Sequence, residues 1–406
     1  MKVISKETKK RRILLLSTSF PLREGSISGI FVKHLALALA RSNCIKVVTA
    51  DHSADSVSDV GCLDIVRFRY APRKWQTLAH LPGGIPAQLR VRKYLILLVP
   101  FFLLSYIFKV VLYSKKTDLI HANWAVSAAV ASLAKAFRKI GLITTLRGED
   151  VKKDQSFPSS FFLKMALRHS DAVVLVSDDM KALLQELYPE YEYKYRVINN
   201  GVDSLFLEGG CAANLLANSV PALKLVFVGS LIQRKNIIFI INVLIMLKSK
   251  NIAFEFTVVG DGSERLELET YVLESGLGDQ VSFVGELPYV EIIHVLKTHP
   301  IYISASLHEG RPNSVIEAMA SGCCCILSDI NGHKELSQNN KTGLSFSLSD
   351  EVELSRVLIK LIKEPEFGIK IGELARSFII DSGLSWESCA EKYDELFDLC
   401  VKRRGC

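Results

Sequence analysis

What most limits the fold of this chain is an alternation of short apolar runs with helical patterns, which occurs twice. In the first half the runs are 13–18 (ILLLST), 45–50, 63–70, 118–122, 142–146, 171–177 and 195–199. Helical patterns at 30–41, 124–139 and 179–187 lie between them. The pattern breaks in LEGGCAANLLANSVPA and restarts at residue 223, with runs at 223–229, 254–260, 280–285, 300–306 and 323–328. Fully apolar strands separated by helices belong to parallel sheets covered on both faces. The sequence therefore predicts an α/β chain of two Rossmann-like domains, with a boundary near 206–220. Its 406 residues suffice for two domains of ordinary size. Such sheets bind ligands at the carboxyl ends of their strands. Two of them facing across a cleft can hold a donor on one side and an acceptor on the other.

One segment strains the pattern. YLILLVPFFLLSYIFKVVLY (94–113) carries a single charge, Lys109, and follows Arg90, Arg92 and Lys93. Its length allows a membrane span, but strands of one sheet flank it on both sides, which excludes a span. Two readings remain: a buried core helix, or a helix lying at a membrane interface. The net charge of +7 gathers partly at the ends, in KKRR (9–12) and KRR (402–404). Those ends are either solvated or drawn to an acidic membrane surface or a phosphorylated ligand. Nucleic acid is not an expected partner, since zinc-finger spacing, an RNP-type strand and a basic helix with interleaved aromatics are all missing. Of nine cysteines, Cys323, Cys324 and Cys325 are consecutive in a strand-like run. Neighbouring strand residues face opposite ways, so they form neither a disulfide framework nor a metal cluster. This usage fits a reducing compartment. The apolar run at 13–18 is brief and no small-residue cleavage site follows it, so it reads as a first strand and not as a signal peptide.

Chemistry concentrates in HEGRPNSVIEAMASG (308–322). The run before it is a strand, LHEGRP is the loop beyond its carboxyl end, and NSVIEAMAS is a helix. Pro312 sits at the entry, Asn313 and Ser314 suit the first positions, and Gly322 is a natural stop. A helix start exposes N–H groups and a positive dipole end, which is a site for a diphosphate. Gly310 lets backbone approach a ligand. Glu309 reaches beyond the phosphates, and Glu317, about one turn into the helix, reaches another part such as ribose hydroxyls.

With Gly310 and Pro312, Glu309 and Glu317 resemble the E-x7-E signature of retaining glycosyltransferases of family 4, which have the GT-B fold. Further matches follow in order. VFVGSLIQRKN (226–236) resembles the family's strand and G-R-L-x-x-x-K-G turn, which puts Lys235 on its phosphate-binding lysine. Ser230 stands where the family has arginine, so that half of the clamp is lost or taken by Arg234. VVGDGSERLELE (258–269), VSFVGELP (281–288) and VINNGVD (197–203) are similar to family segments, the last entering the interdomain linker. GLSWESCAEKYDELF (383–397) resembles the helix that crosses back to the first domain. In that domain, REGSISGIFVKHLALALA (23–40) resembles a glycine-rich loop and helix, with Ser28-Gly29 in place of Gly-Gly. DLIHANWAVSAAV (118–130) is similar to the strand and loop at the cleft floor. TLRGED (145–150) resembles T-L-H-G-x-D with Arg147 in place of the histidine, so a catalytic histidine is not carried over.

The resemblance implies an acceptor-side domain at 1–205, a donor domain at 206–380 and a crossing helix at 381–406. It implies a cytoplasmic, retaining hexosyltransferase using a UDP- or GDP-type sugar donor, with no metal and no other cofactor. The acceptor is a saccharide or a lipid-linked saccharide of cell-surface glycan synthesis. The membrane-surface contact, on the inner face of the cytoplasmic membrane, would run through 90–113. Glu309, Lys235 and Arg147 are the catalytic candidates. Gly29, Ser230, Arg234, Lys235, Glu309, Gly310, Arg311, Pro312, Asn313, Ser314 and Glu317 are the donor-binding ones. A nucleotide-sugar epimerase of related fold and an inactive nucleotide-sugar-binding scaffold are the alternatives. A nicotinamide dehydrogenase does not fit, because no G-x-G-x-x-G follows the first strand.

Overall fold

A computed structural model describes residues 10–22, 29–52, 59–60, 63–80, 84–153, 157–218 and 222–402. Most of the glycine-rich loop (23–28), Lys9 and Arg403–Arg404 of the basic ends, and the Arg90 side chain lie outside that description.

The first sheet contains β1 (Arg12–Leu16), β2 (Cys44–Ala50), β3 (Asp59–Val60), β4 (Leu63–Phe68), β5 (Leu119–Asn123), β6 (Gly141–Leu146), β7 (Ala172–Leu175) and β8 (Tyr195–Val197). Its order is β3-β4-β2-β1-β5-β6-β7-β8, parallel except where β3 meets β4. The second holds β9 (Leu223–Val228), β10 (Phe254–Val259), β11 (Val281–Gly285), β12 (Ile301–Ser304), β13 (Cys324–Ser328) and β14 (Leu344–Phe346). It is parallel throughout, in the order β11-β10-β9-β12-β13-β14. The strands expected from the apolar runs all form. β3 and β14 were not expected; at two and three residues they are too short to carry a period.

The strand orders place the cleft. From β1 the first sheet grows through β2 on one side and through β5 on the other, and the second grows likewise from β9 through β10 and through β12. Loops leaving the two strands at such a reversal diverge, and the crevice between them is where ligands bind. The loops after β9 and β12 carry Lys235 and Glu309. The loops after β5 and β6 carry Trp124 and Arg147.

One face of the first sheet is covered by helices Val99–Tyr113, Ala125–Phe137 and Ser159–His169. The other face takes helix Ile30–Leu39 and the C-terminal helix Trp386–Lys402, which buries Tyr393 and Phe397 there. Arg11 ties that last helix down through Asp394 at 2.7 Å and Asp398 at 2.6 Å. The two chain crossings between the sheets run side by side. Val202 bridges Ser385, and a side chain at Gly201 would lie 2.3 Å from the backbone of Ser385.

The apolar segment folds as a turn (Lys93–Leu98) and the helix Val99–Tyr113. Its inner stripe of Phe102, Tyr106 and Val110 is fully buried, and the Tyr106 ring stacks on Phe68 at 4.6 Å. The core reading therefore holds for this stripe. The three consecutive cysteines stand at the start of β13: Cys324 enters the core on one face of the sheet, and Cys325, with Cys323 just before the strand, enters it on the other. His121 is a core histidine. It is fully buried, 2.8 Å from Thr145 Oγ1, and burial lowers its pKa to about 3.

Candidate active site

Glu309 is the centre of the donor side. Its side chain is 8% exposed and each of its oxygens meets a cation. Lys235 Nζ donates to Oε1 and Arg234 Nη1 to Oε2, both at 2.6 Å, and Ser306 Oγ adds a bond to Oε1 at 3.0 Å. Burial opposes the charge on Glu309, but the Lys235 and Arg234 cations outweigh it and hold the carboxyl down at about 2. Two cations thus meet one anion beside the first turn of helix Asn313–Ala320. That turn offers its N–H groups and dipole end to an anion. The loop is fixed from behind by Gly332, where a side chain would lie 2.4 Å from the Glu309 carbonyl oxygen.

The turns under this site interlock through glycines. A side chain at Gly260 would stand 1.9 Å from Gly229 O, and one at Gly262 would stand 2.2 Å from Leu231 O. The GDG glycines are therefore turn glycines, packed against the loop that carries Lys235. Ser230 lies in that loop and brings no charge, and Arg234 supplies the second cation.

Glu317 lies on the same helix and faces the chain crossing. Tyr289 donates to its Oε1 at 3.3 Å. The side chain keeps some solvent contact yet is ringed by protein. Burial first, and then the nearby Asp203 charge, raise its carboxyl to about 8, against the Tyr289 hydrogen bond. Tyr289 packs against His34 of the first domain, ring to ring at 4.7 Å.

The opposite wall comes from the first domain. Arg147 is 8% exposed and donates to Asn123 Oδ1 at 3.2 Å and Asn200 Oδ1 at 3.1 Å. Its guanidinium lies over the Phe31 ring at 4.2 Å. Among the described side chains no carboxylate pairs with it, and its Nε has no partner. Asp150 accepts instead from the backbone N–H of Ala125 and of Arg147. Asn200 in turn donates to Asn313 Oδ1 at 2.8 Å, which carries the chain of polar contacts across to the donor helix. These groups line a pocket of about 200 Å³ that also touches Glu309, Gly310 and Trp124. A larger one, about 450 Å³, lies by Lys135, Lys194 and Asp171, where both lysines are already engaged, away from the carboxyl ends of the strands.

Several expectations change in detail. Gly310 was expected to let backbone near a ligand; here its close neighbour is Gly148 across the cleft, and a side chain on Gly310 would lie 2.9 Å from Gly148 Cα. Arg311 was expected on the donor, but its guanidinium goes to Glu335 at 2.9 Å. Glu335 also accepts the Asp179 N–H of the first domain, so Arg311 braces the two domains. Gly29 starts helix Ile30–Leu39 at φ 72°, 2.5 Å from Ser19 O for any added side chain. Pro312 is the entry residue of the donor helix, and Ser314 accepts from Tyr302. Phe31, Trp124, Asn200 and Tyr289 were missed. Trp124 had a usable signal, a bulky aromatic immediately after a strand; here it holds φ 68° and turns its ring to Phe31 at 6.0 Å.

Two parallel-sheet domains, with a clamped carboxylate at a helix start between them, define a glycosyltransferase of the GT-B fold. The family described as Glycosyl transferases group 1 matches residues 218–396, and Glycosyltransferase Family 4 matches 28–204. The chain belongs to this family. It is 27% identical over 298 residues to an uncharacterized glycosyltransferase of Methanocaldococcus jannaschii, covering 71% of this chain and 79% of the relative. It is 24% identical over 300 residues to the UDP-Gal:alpha-D-GlcNAc-diphosphoundecaprenol alpha-1,3-galactosyltransferase of Escherichia coli, covering 72% and 75%. The fold matches that of Anabaena HepE in complex with UDP and glucose, with a TM-score of 0.73 and 16% identity over 96% of this chain and 99% of that one.

Proposed function

We propose that the chain transfers a hexosyl group from a nucleotide-diphosphate sugar to an acceptor hydroxyl, with retention at the anomeric carbon. The observation that carries this is the clamp of Lys235 and Arg234 on Glu309, set beside the start of helix Asn313–Ala320. Breaking the sugar–phosphate bond leaves negative charge on the β-phosphate and positive charge on the anomeric carbon. Lys235, Arg234 and the first-turn N–H groups stabilise the former, as fixed donors aimed at developing charge do. Glu309 holds both cations in place and orients the sugar. Glu317 takes the ribose hydroxyls. The acceptor hydroxyl attacks from the face of the leaving group, forming the new glycosidic bond as the phosphate departs with the acceptor's proton. Arg147, on the far wall, is a cation awaiting an anionic part of donor or acceptor. The two side chains and the helix start supply the positive charge a resident metal would otherwise bring, so transfer proceeds without one.

The Escherichia coli relative, whose name specifies a diphosphoundecaprenol-linked acceptor, supports a lipid-linked saccharide as acceptor here. The UDP in Anabaena HepE supports a UDP donor. Action on such an acceptor supports a cytoplasmic location at the inner face of the membrane. Lys235→Ala should lower turnover on the order of 10²-fold, the loss typical of one charge-stabilising donor, with native circular dichroism but a lower thermal midpoint, since buried Glu309 loses one of its two cations. Nuclear magnetic resonance of the product should show the donor's anomeric configuration, and a chelator should leave the rate unchanged. Full activity in Lys235→Ala, or an inverted product, would refute the corresponding step.

A further inference from the structure

Helix Val99–Tyr113 spends only one face on the core. On the other, Leu97, Phe101, Leu104, Phe108 and Leu112 follow one another at helical spacing, 42–72% exposed. Phe137, which ends the neighbouring helix Ala125–Phe137, is 80% exposed. From Leu97 to Leu112 the stripe runs on the order of 20 Å at about 1.5 Å per residue. Contiguous exposed apolar surface of this kind marks a docking face.

Charge indicates what docks. Exposed Arg92 and Lys93 stand at the start of the segment, Lys115 and Lys116 at its end, and Lys139 just beyond Phe137. Between residues 84 and 140 the chain has nine basic residues and one acidic, Asp118, which Arg12 holds at 2.6 Å. An apolar stripe with cations of one sign at both ends matches a helix lying in a bilayer surface. Its side chains enter the acyl boundary while the lysines meet anionic headgroups. A span is excluded, because Phe102, Tyr106 and Val110 are built into the core and Tyr106 bonds Ser127. The helix runs into β5 from its amino end, so the end with Arg92 and Lys93 lies toward the carboxyl edge of the sheet, where the cleft opens.

We propose that this face docks the protein on an anionic lipid bilayer with the cleft rim at the membrane surface. The proposal is independent of the transfer chemistry, and vesicle binding reads the surface alone. The full chain would be sedimented with phosphatidylcholine vesicles, with and without phosphatidylglycerol, at low and high salt. Binding should rise at least about tenfold with the anionic lipid and fall with salt. Phe101→Ser with Leu104→Ser should lower it about tenfold or more. Lys115→Glu with Lys116→Glu should do the same, and gives the same reading if the serine pair folds poorly. Three results would overturn the proposal. One is wild-type protein that ignores both vesicles. Another is binding that survives both paired variants. The third is a vesicle-free dimer that the serine pair converts to monomer, which would assign the face to a second copy of the chain.

Discussion

Glu317 carries the pH signature of the site. Its carboxyl lies at about 8 in the folded protein against an ordinary 4.5. Near neutrality the folded state therefore holds a proton there that the unfolded state has lost. The sign follows from linkage: stability is complete below about 4.5 and is lost as pH climbs to about 8. Each unit of upward shift costs about 1.4 kcal/mol. Glu317→Gln, which stays neutral, should raise the thermal midpoint of the free protein, and by more at pH 9 than at pH 5. An equal gain at both values would mean that Glu317 ionises normally. Glu309 behaves in the opposite way, because its two cations lie within bonding distance while Glu317 has only a phenol. The sequence names both residues but does not separate their environments. Arg147 shows the same limit: its position is legible, whereas its lack of a carboxylate partner among the described side chains depends on Asp150 turning to backbone N–H groups.

At the scale of elements, the site is held by short helices packed behind its loops. Helix Asn331–Ser337 presses Gly332 against the carbonyl of Glu309, with 2.4 Å left where a side chain would stand. Gly332→Ala must push the 308–311 loop toward the cleft and so move the carboxylate relative to Lys235. A misplacement of about 1 Å at a reacting centre can cost on the order of 10²-fold in rate. Turnover should fall by that order, while circular dichroism stays native. Wild-type turnover in this variant would show that the loop absorbs the methyl elsewhere. The periodicity located helix Asn313–Ala320 and its neighbouring strands well. It said nothing of Gly332, because the contact that makes this glycine necessary joins residues 23 positions apart.

At the scale of the molecule, the last helix belongs by packing to the first domain, although it follows the second in sequence. Asp394 accepts from Arg11 and from Asn43, each at 2.7 Å, and also from Ser42. Asp394→Ala removes charged hydrogen bonds worth roughly 1.5–3 kcal/mol in such settings. The urea midpoint should drop accordingly, with the isolated nucleotide still bound. An unchanged midpoint would show that Asp398 and the apolar seam of Tyr393 and Phe397 hold the helix without it.

The sequence by itself determined the class of fold. Uninterrupted apolar strands cannot leave a face in water, and helices between them force parallel pairing. It also located the helix start proposed above to receive a diphosphate, since the signals for that start lie within a few neighbouring residues. The tertiary structure alone decided which side chains meet there. Lys235 and Glu309 are 74 positions apart and touch because β9 and β12 are neighbours. Arg311 left the donor for Glu335, and Gly310 found Gly148, because the two domains close on each other at those points. The apolar segment shows the division most plainly. Its composition allowed a core helix or an interfacial one, and only the packing of Phe102, Tyr106 and Val110 fixed which stripe is core and which is left facing outward.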